Sequence, residues 1–344
     1  MHHSAPRRLN VFSNKAFFSH FPRLLLSIFC LSALSGVAQV NAQVVDAYPA
    51  QPIKLVVPFP PGGATDIIAR IIGQKLAEQL KVSVVIENKS GANGNIASEY
   101  VVRAQPDGYT LLYNTSSIAS SPALYKKLNF DVRTDLAPVV LTTVIPLLLA
   151  VHPSVPVTNL KEFTALLKAK PDTLSYGSAG VGNVTHLSPF LVLQELGLIA
   201  NHVPYKGSGP SMVGLVGGEI QFDMEPISVG LAYAKEGRIR PIAVSTLLRS
   251  PVLPNVPTLD ESGMTGFEAG AWQGVMAPAK TPAAVITRLN AEIIKAMQAP
   301  DTKQSLLAQG AQVLGSTPGQ YGAYLESEIS RWSAVIKSSR TEPE

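Results

Sequence analysis

Two short, glycine-rich segments each follow an apolar strand-like run and precede a helical one. The first is FPPGGATD at 59–66, and the second is GSAGVGNVTHL at 177–187. The first N–H groups of a helix have no internal acceptor and lie at the positive end of its dipole. Such a turn can bind an anion, and because neither segment contains lysine or arginine, directed hydrogen bonds to a carboxylate are favoured.

The composition of the two segments suits this chemistry. Prolines stiffen the first segment, while Gly62 and Gly63 leave its backbone bare, and Thr65 or Asp66 can cap the helix. A plain connecting turn is the alternative interpretation of each segment, and Asp66 is as easily a helix cap as a ligand contact. Two such helix ends facing each other across a cleft would hold a small carboxylic acid.

Other chemistries find little support in the sequence. After the leader described below, the histidines are His152, His186 and His202, with no HExxH motif and no pair four residues apart. Ser178 in YGSAG does not form a GxSxG motif, and no histidine or acid is evident as its partner. The first segment lacks the lysine of a phosphate-binding loop. We therefore predict no metal, no cofactor and no catalytic residue.

The first 42 residues have the pattern of a secretory signal peptide. Basic residues precede the apolar run LLLSIFCLSALSGVAQV, and small residues favour cleavage after Ala42, or alternatively after Ala38. The leader holds four of the 28 Lys and Arg, none of the 24 Asp and Glu, and the single cysteine. The exported chain would then be formally neutral, which argues against nucleic-acid binding, and it would have no disulfide.

Strand-like and helical patterns alternate along the rest of the chain, which predicts an α/β fold with mostly parallel sheets. Two long apolar segments, 136–153 and 267–279, interrupt this alternation. Each is a candidate strand crossing between lobes. We predict a first lobe of 48–145 plus 273–344 and a second lobe of 146–272, hinged at the crossings around a ligand cleft.

Several segments, in order along the chain, resemble the Bug-type receptors of tripartite tricarboxylate transporters. They include YPAQPIKLVVPFPPGGATDIIAR, VVIENKSGANGNIASEYVVRAQPDGYTLL, LSYGSAGVGNVTHL and HVPYKGSGPSMVGLVGGEIQFDM. The resemblance implies a type II periplasmic binding protein: two α/β lobes, two crossover strands and a carboxylate held between the lobes. It also implies a periplasmic location.

The resemblance assigns ligand contacts to two loops and to two further residues. The first loop, 59–66, comprises Phe59, Pro60, Pro61, Gly62, Gly63, Ala64, Thr65 and Asp66, and the second loop, 178–183, comprises Ser178, Ala179, Gly180, Val181, Gly182 and Asn183. The further residues are His186 and Asp223. Three departures from the family pattern are Asn183, where threonine is frequent, Pro189, where a small residue is usual, and GANG at 91–94 in place of GAGG.

The expected partners follow from the resemblance. They are a small carboxylate and the membrane permease of a tripartite tricarboxylate transporter, with the receptor itself a monomer and not an enzyme. A sensory receptor acting on a kinase is the alternative, because it would need the same fold. An α/β enzyme acting on a small acid is a further alternative, disfavoured by the lack of a base, metal or nucleophile. The sequence does not identify the acid.

Overall fold

The computed structural model describes residues 48–171 and 173–339, so the predicted signal peptide lies outside the described part of the chain. The strands are β1 Ile53–Val57, β2 Val84–Asn88, β3 Thr110–Thr115, β4 Leu136–Val151, β5 Ser175–Ser178, β6 Asn201–Pro204, β7 Phe222–Pro226, β8 Arg240–Val244, β9 Gly270–Pro278 and β10 Gln312–Val313.

The helices alternate with these strands, and a short 3-10 turn occupies Ala92–Gly94. The helices are α1 Ala64–Leu80, α2 Asn95–Val102, α3 Ser117–Leu124, α4 Leu160–Ala169, α5 Val184–Glu195, α6 Ser208–Val216, α7 Ile227–Lys235, α8 Ala283–Gln298, α9 Pro300–Ala308 and α10 Pro318–Ser339. Across the described residues, none of these helices has the length and hydropathy that a membrane span requires.

Local sequence explains where the helices begin and which face they bury. In α1, Ile68, Ile72 and Leu76 recur at helical spacing and are all buried. Asn159 precedes an amphipathic run, which predicts a helix cap at this residue. At the start of α4, the Asn159 side chain accepts a hydrogen bond from the Glu162 N–H at 2.9 Å, which confirms the cap. The apolar faces of the helices thereby cover the sheet.

The strands form one mixed sheet in the order β2-β1-β3-β9-β4-β7-β5-β6, with β8 and β10 also paired to β4. β1 is parallel to β2 and β3, and β5 is parallel to β6 and β7. Every pairing of β4 and β9 is antiparallel. The prediction of mostly parallel sheets was therefore wrong, because these two long strands run against their neighbours.

Strand β4 connects two groups of strands. Its residues 136–146 pair with β9, whereas residues 147–151 pair with β7 and β8. By density of contacts, however, the chain from Pro49 onward forms one compact unit. The division into two lobes stays a prediction.

Strand β9 is also tied to the C-terminal helix through a buried carboxylate. The indole Nε1 groups of Trp272 in β9 and Trp332 in α10 both donate to Glu328 Oε2, at 2.8 and 2.9 Å. Both indoles are almost fully buried. The carboxylate therefore links β9 to α10, in addition to the hydrogen bonds that β9 makes with its neighbouring strands.

Candidate functional site

Three strand-to-helix turns converge on one cavity of about 30 Å³. The first and second are the predicted loops, which lead into α1 and α5, and the third is the segment 207–210, which begins α6. The ends of parallel strands β1 and β5 thus supply two of the three turns. This is the edge at which open α/β sheets bind ligands.

Half of the predicted site residues line this cavity. They are Phe59, Pro60, Pro61, Gly63, Ala64, Thr65, Ala179 and Asn183. The other predicted residues lie outside its lining: Gly62, Asp66, Ser178, Gly180, Val181, Gly182, His186 and Asp223. Contact of either group with a ligand stays a prediction.

The first loop is held by the carboxylate of Asp66. Asp66 accepts hydrogen bonds from the Gly62 N–H at 3.0 Å, from Asn88 Nδ2 at 2.9 Å and from the Arg70 guanidinium at 2.8 and 2.9 Å. Asn88 also donates to the Phe59 carbonyl. Burial raises the pKa of Asp66, but these hydrogen bonds outweigh it and hold the pKa below its ordinary value. Asp66 therefore acts as the anchor of the loop.

Helix α1 presents its N-terminus to the cavity. Its cap residue is Gly63, with extended backbone and no side-chain cap. The following N–H groups of Ala64 and Thr65 have no acceptor among the described residues, and both residues line the cavity. These two donors and the helix dipole are the features that favour an anion at a helix N-terminus.

The second loop is held by neutral groups. Asn183 caps α5 by accepting from the Thr185 N–H at 3.1 Å, and Thr185 Oγ1 in turn accepts from the Ala179 N–H at 2.8 Å. Asn183 Nδ2 also lies 3.4 Å from Asn93 Oδ1. Two of the three departures from the family pattern, Asn183 and the GANG segment, therefore contact each other.

Two stacked histidines support the second loop from behind. The rings of His186 and His202 lie 3.9 Å apart, His186 Nδ1 accepts from the Gly182 N–H at 3.0 Å, and Ser178 Oγ lies 2.7 Å from His202 Nε2. Burial lowers the pKa of His186 to about 4, and burial together with His186 lowers that of His202 to about 3. Both rings are therefore neutral at neutral pH. Ser178 has a histidine neighbour that the sequence did not reveal, but Ser178 is fully buried and outside the cavity lining.

The third turn is a feature that the sequence analysis missed. Gly207, Ser208, Gly209 and Pro210 all line the cavity. Gly207 has φ +126° and lies against the first loop, since a Cβ there would sit 3.1 Å from Pro60 Cδ. The segment YKGSGPSM repeats the glycine-rich pattern of the two predicted loops, and this was the signal that could have identified it.

The remaining wall comes mainly from the sheet. The lining residues that were not among the assigned ligand contacts, apart from the third turn, are Thr115, Val184, Thr185, Pro226, Ala271 and Gln273. Gln273 is fully buried in β9, where its Oε1 accepts from the Tyr113 hydroxyl at 3.1 Å. A polar residue within an otherwise apolar crossing strand was the sequence signal for this position.

Asp223 lies behind the third turn, together with Glu225 on the same face of β7. Both are fully buried, and the Asp223 carboxyl has no hydrogen-bond partner within the described part of the chain. Burial and the neighbouring Glu225 raise the pKa of Asp223, and burial also raises that of Glu225. The Ser208 and Ser211 hydroxyls face Glu225 and lower its pKa, which opposes the effect of burial. They do not form well-aligned hydrogen bonds with its carboxyl group.

The lining of the cavity contains donors but no ionisable side chain. Its polar groups are helix N–H groups, threonine and serine hydroxyls and two amides. Among the residues that the structure describes, no three His, Cys, Asp or Glu side chains are grouped as metal ligands. The arrangement can bind an anion through hydrogen bonds, and its wall offers no group that would act as a general base.

The sequence matches a known protein family and individual relatives. Residues 68–340 match the model of the tripartite tricarboxylate transporter family receptor. Protein BugT of Bordetella pertussis is 36% identical over 92% of this chain and 97% of its own length. A UPF0065 protein from the tcbD-tcbE intergenic region of Pseudomonas sp. strain P51 is 38% identical over 89% of this chain and 94% of its own length.

Solved structures agree with these relatives. R. palustris Rpa4515 with adipate is 35% identical, with a TM-score of 0.83 over 86% of this chain and 100% of that one. The periplasmic binding protein BugD is 33% identical, with a TM-score of 0.82 over the same shares. MatC of Rhodopseudomonas palustris with bound malate is 34% identical, with a TM-score of 0.79 over 84% and 100%. These matches confirm the type II periplasmic binding protein fold, and the chain belongs to the receptor family of tripartite tricarboxylate transporters, as a Bug-type member.

Proposed function

We propose that the protein is an exported receptor that captures a small carboxylic acid and delivers it to the permease of a tripartite tricarboxylate transporter. The observation that supports this most directly is the convergence of three helix N-termini on a cavity whose lining has no charged side chain. Backbone N–H groups bind a carboxylate without a buried counter-charge. Structural neighbours with adipate and malate point to the same ligand class.

The charge of the site favours a mono- or dicarboxylate. Each helix N-terminus carries about half a positive unit charge, so three of them together match an anion of roughly one to two charges. Citrate, with three carboxyl groups, fits this field less well. A short dicarboxylate is the best match, with pocket shape selecting among its members.

Ligand entry requires the two groups of strands to move apart. A cavity of about 30 Å³ holds about two water molecules, at roughly 10 to 15 Å³ for each, which is too small for an acid of several carbons. We propose that 48–145 plus 273–344 and 146–272 are lobes that open and close about β4 and β9. Ligand contact with both lobes would favour the closed state.

Binding without catalysis accounts for the lining of the cavity. Ser178 and the histidines lie outside that lining, and Glu225, the carboxyl that faces the lining hydroxyl of Ser208, is fully buried and outside the lining as well. The signal peptide proposed for residues 1–42 would bring the receptor to the periplasm. Mass spectrometry of the secreted protein should find an N-terminus at Gln43 or Gln39, and an intact Met1 would contradict export by cleavage.

Thermal-shift assays and calorimetry with matched acids and amides test the ligand class. Succinate, adipate and malate should stabilise the protein, whereas succinamide and sugars should not. An acid at 100 times its dissociation constant should add about 2.7 kcal/mol to the free energy of unfolding. Binding of amides, sugars or cations in the absence of any acid binding would contradict the proposal.

Two further measurements test closure and delivery. Small-angle scattering with a saturating acid should show a smaller radius of gyration, and an unchanged curve would contradict the hinge.

Cells that lack the receptor should lose uptake of that acid and regain it when the gene is restored. Uptake that continues without the receptor would contradict delivery to a permease.

A further inference from the structure

Gln273 occupies a central place in the wall of the proposed binding cavity. In the sheet register it lies between Thr115 of β3 and Thr143 of β4. Gln273 lines the cavity together with Thr115 and Ala271, whereas Trp272 points to the opposite face and donates to Glu328. It is the only glutamine in that lining.

One hydrogen bond orients the side-chain amide of Gln273, and a second one is made to its backbone. Its Oε1 accepts from the Tyr113 hydroxyl at 3.1 Å, and its backbone carbonyl accepts from Thr142 Oγ1 at 2.9 Å. The hydroxyls of Tyr113 and Thr142 lie 3.0 Å apart. Burial raises the pKa of Tyr113, so its hydroxyl stays protonated and keeps its ability to donate. The oxygen side of the amide is therefore occupied.

The nitrogen side of the same amide is not occupied. Gln273 Nε2 is buried and has no acceptor within the described residues, although it carries two N–H donors. Buried side-chain donors in native proteins nearly always have a partner, so an orphan beside a ligand cavity points to an acceptor on the ligand. Gln273 lines the cavity, so an acceptor for this unpaired donor can come from a molecule bound there.

We propose that Gln273 Nε2 donates to the second carboxylate of the bound acid and so makes the receptor selective for dicarboxylates over monocarboxylates. This inference rests on the proposed function and adds the residue that reads the second acid group. The helix N-termini bind one carboxylate, and a monocarboxylate of the same chain length would leave Gln273 Nε2 unpaired in the closed site. A site with a buried donor rejects a ligand that cannot pair with it.

Matched pairs of acids test the proposal by calorimetry on the exported chain. Succinate is compared with butyrate, and adipate with hexanoate, because each pair differs by one carboxylate. The wild-type protein should bind the better diacid at least tenfold more tightly than its monoacid. Gln273→Met keeps the length of the side chain and removes the donor, so it should weaken diacid binding at least tenfold and change monoacid binding less than threefold.

Controls separate this effect from damage to the fold. Gln79→Met, on α1 and outside the cavity lining, should keep the wild-type ratio of affinities. Gln273→Glu keeps the shape of the side chain and should weaken diacid binding more than Gln273→Met does, because its charge repels the second carboxylate. This variant replaces Gln273→Met in the test if Gln273→Met does not fold. Tyr113→Phe removes only the hydroxyl that orients the amide, so it should lower the ratio of diacid to monoacid affinity by a smaller factor.

The possible outcomes distinguish this inference from the proposed function. A wild-type protein that binds diacids and monoacids equally would overturn the role of Gln273 and leave the carboxylate receptor intact. Equal losses of both acids in Gln273→Met, or no loss, would overturn it as well. A wild-type protein that binds no acid would overturn the proposed function, and the inference with it.

Discussion

The first and second loops share a sequence pattern but are fixed by different physical means. The first is held by an ionised carboxylate, Asp66, with Arg70 and Asn88 as its donors. The second is held by neutral groups, namely the Asn183 cap, the Thr185 hydroxyl and the imidazole of His186. Similar strand-to-helix turns can therefore present the same N–H donors and still respond differently to pH and salt.

The largest expected effect comes from filling the cavity at the first loop. Gly63 has φ −78°, and a Cβ there would meet only the Pro60 carbonyl oxygen, at 3.7 Å. Gly63→Leu should therefore fold normally while its side chain occupies the cavity. We expect at least about a hundredfold loss of acid binding, or about 2.7 kcal/mol, measured by calorimetry, with little change in melting temperature.

The same change in the second loop should also cost stability. Gly180 has φ +136°, which side chains other than that of glycine rarely adopt, so Gly180→Leu adds strain of about 1 to 3 kcal/mol. Gly319→Leu, at a position with open space around it, is the matched control for Gly63→Leu, and Gly263→Leu, with φ +105° and open space, is the matched control for Gly180→Leu. Acid binding within tenfold of the wild type in Gly63→Leu would contradict the cavity as the binding site.

Acid should weaken the second loop before the first. The unfolded chain protonates His186 near pH 6.5, whereas the folded chain does so only near pH 4. Between these values the unfolded state binds the extra proton, so the free energy of unfolding falls as pH falls, by about 2.5 kcal/mol for this group between about pH 7.5 and 4.5. His186→Gln retains an acceptor for the Gly182 N–H and should reduce this loss. Urea unfolding at pH 7.5 and 4.5 measures this loss of unfolding free energy. Equal pH dependence in the wild type and in His186→Gln would refute the role of His186.

The acid pair on β7 should show the opposite trend. Because burial raises the pKa of Glu225, the folded state holds a proton that the unfolded state has released, and stability falls as pH rises above the ordinary value of 4.5. Glu225→Gln should increase the free energy of unfolding at pH 8 by about 2 kcal/mol. The exposed Glu236→Gln should change it little, and a destabilised Glu225→Gln at pH 8 would contradict the argument.

The smallest effect is expected from the anchor of the first loop. Asp66→Asn keeps the shape of the side chain but removes the charge that faces Arg70, so the free energy of unfolding should fall by about 1.5 kcal/mol. Glu99→Gln breaks an exposed helical pair with Arg103 and should cost less than about 0.5 kcal/mol. Denaturant titration measures both, and equal costs would argue that Asp66 is no more than a surface partner.

Local patterns in the sequence predicted much of the fold. The apolar spacing of 283–298 predicts a helix over those residues, and helix α8 begins and ends there. The position of Asn159 before an amphipathic run predicts the cap that the structure has. The first and second loops were placed at helix N-termini, where the structure has them. Helix periodicity and capping depend on neighbouring residues, which a single sequence displays.

The missed parts depend on long-range contacts. The setting of Gln273 depends on Tyr113, which donates to its side-chain oxygen, and on Thr142, which donates to its backbone carbonyl. Those residues are 160 and 131 positions away along the chain. Likewise, the His186 and His202 rings stack only because parallel strands β5 and β6 bring their ends together. Strand register cannot be obtained from local periodicity. The sheet wall of the cavity and the histidine stack were therefore found only in the structure.

The shared carboxylate of Glu328 gives this protein an intrinsic optical reporter. The sequence contains two tryptophans, and both indoles donate to Glu328 in a buried setting. Trp272 is also the residue between Ala271 and Gln273, which line the cavity. A rearrangement of β9 on ligand capture would change the surroundings of an indole, so tryptophan emission can follow binding in real time without any attached dye.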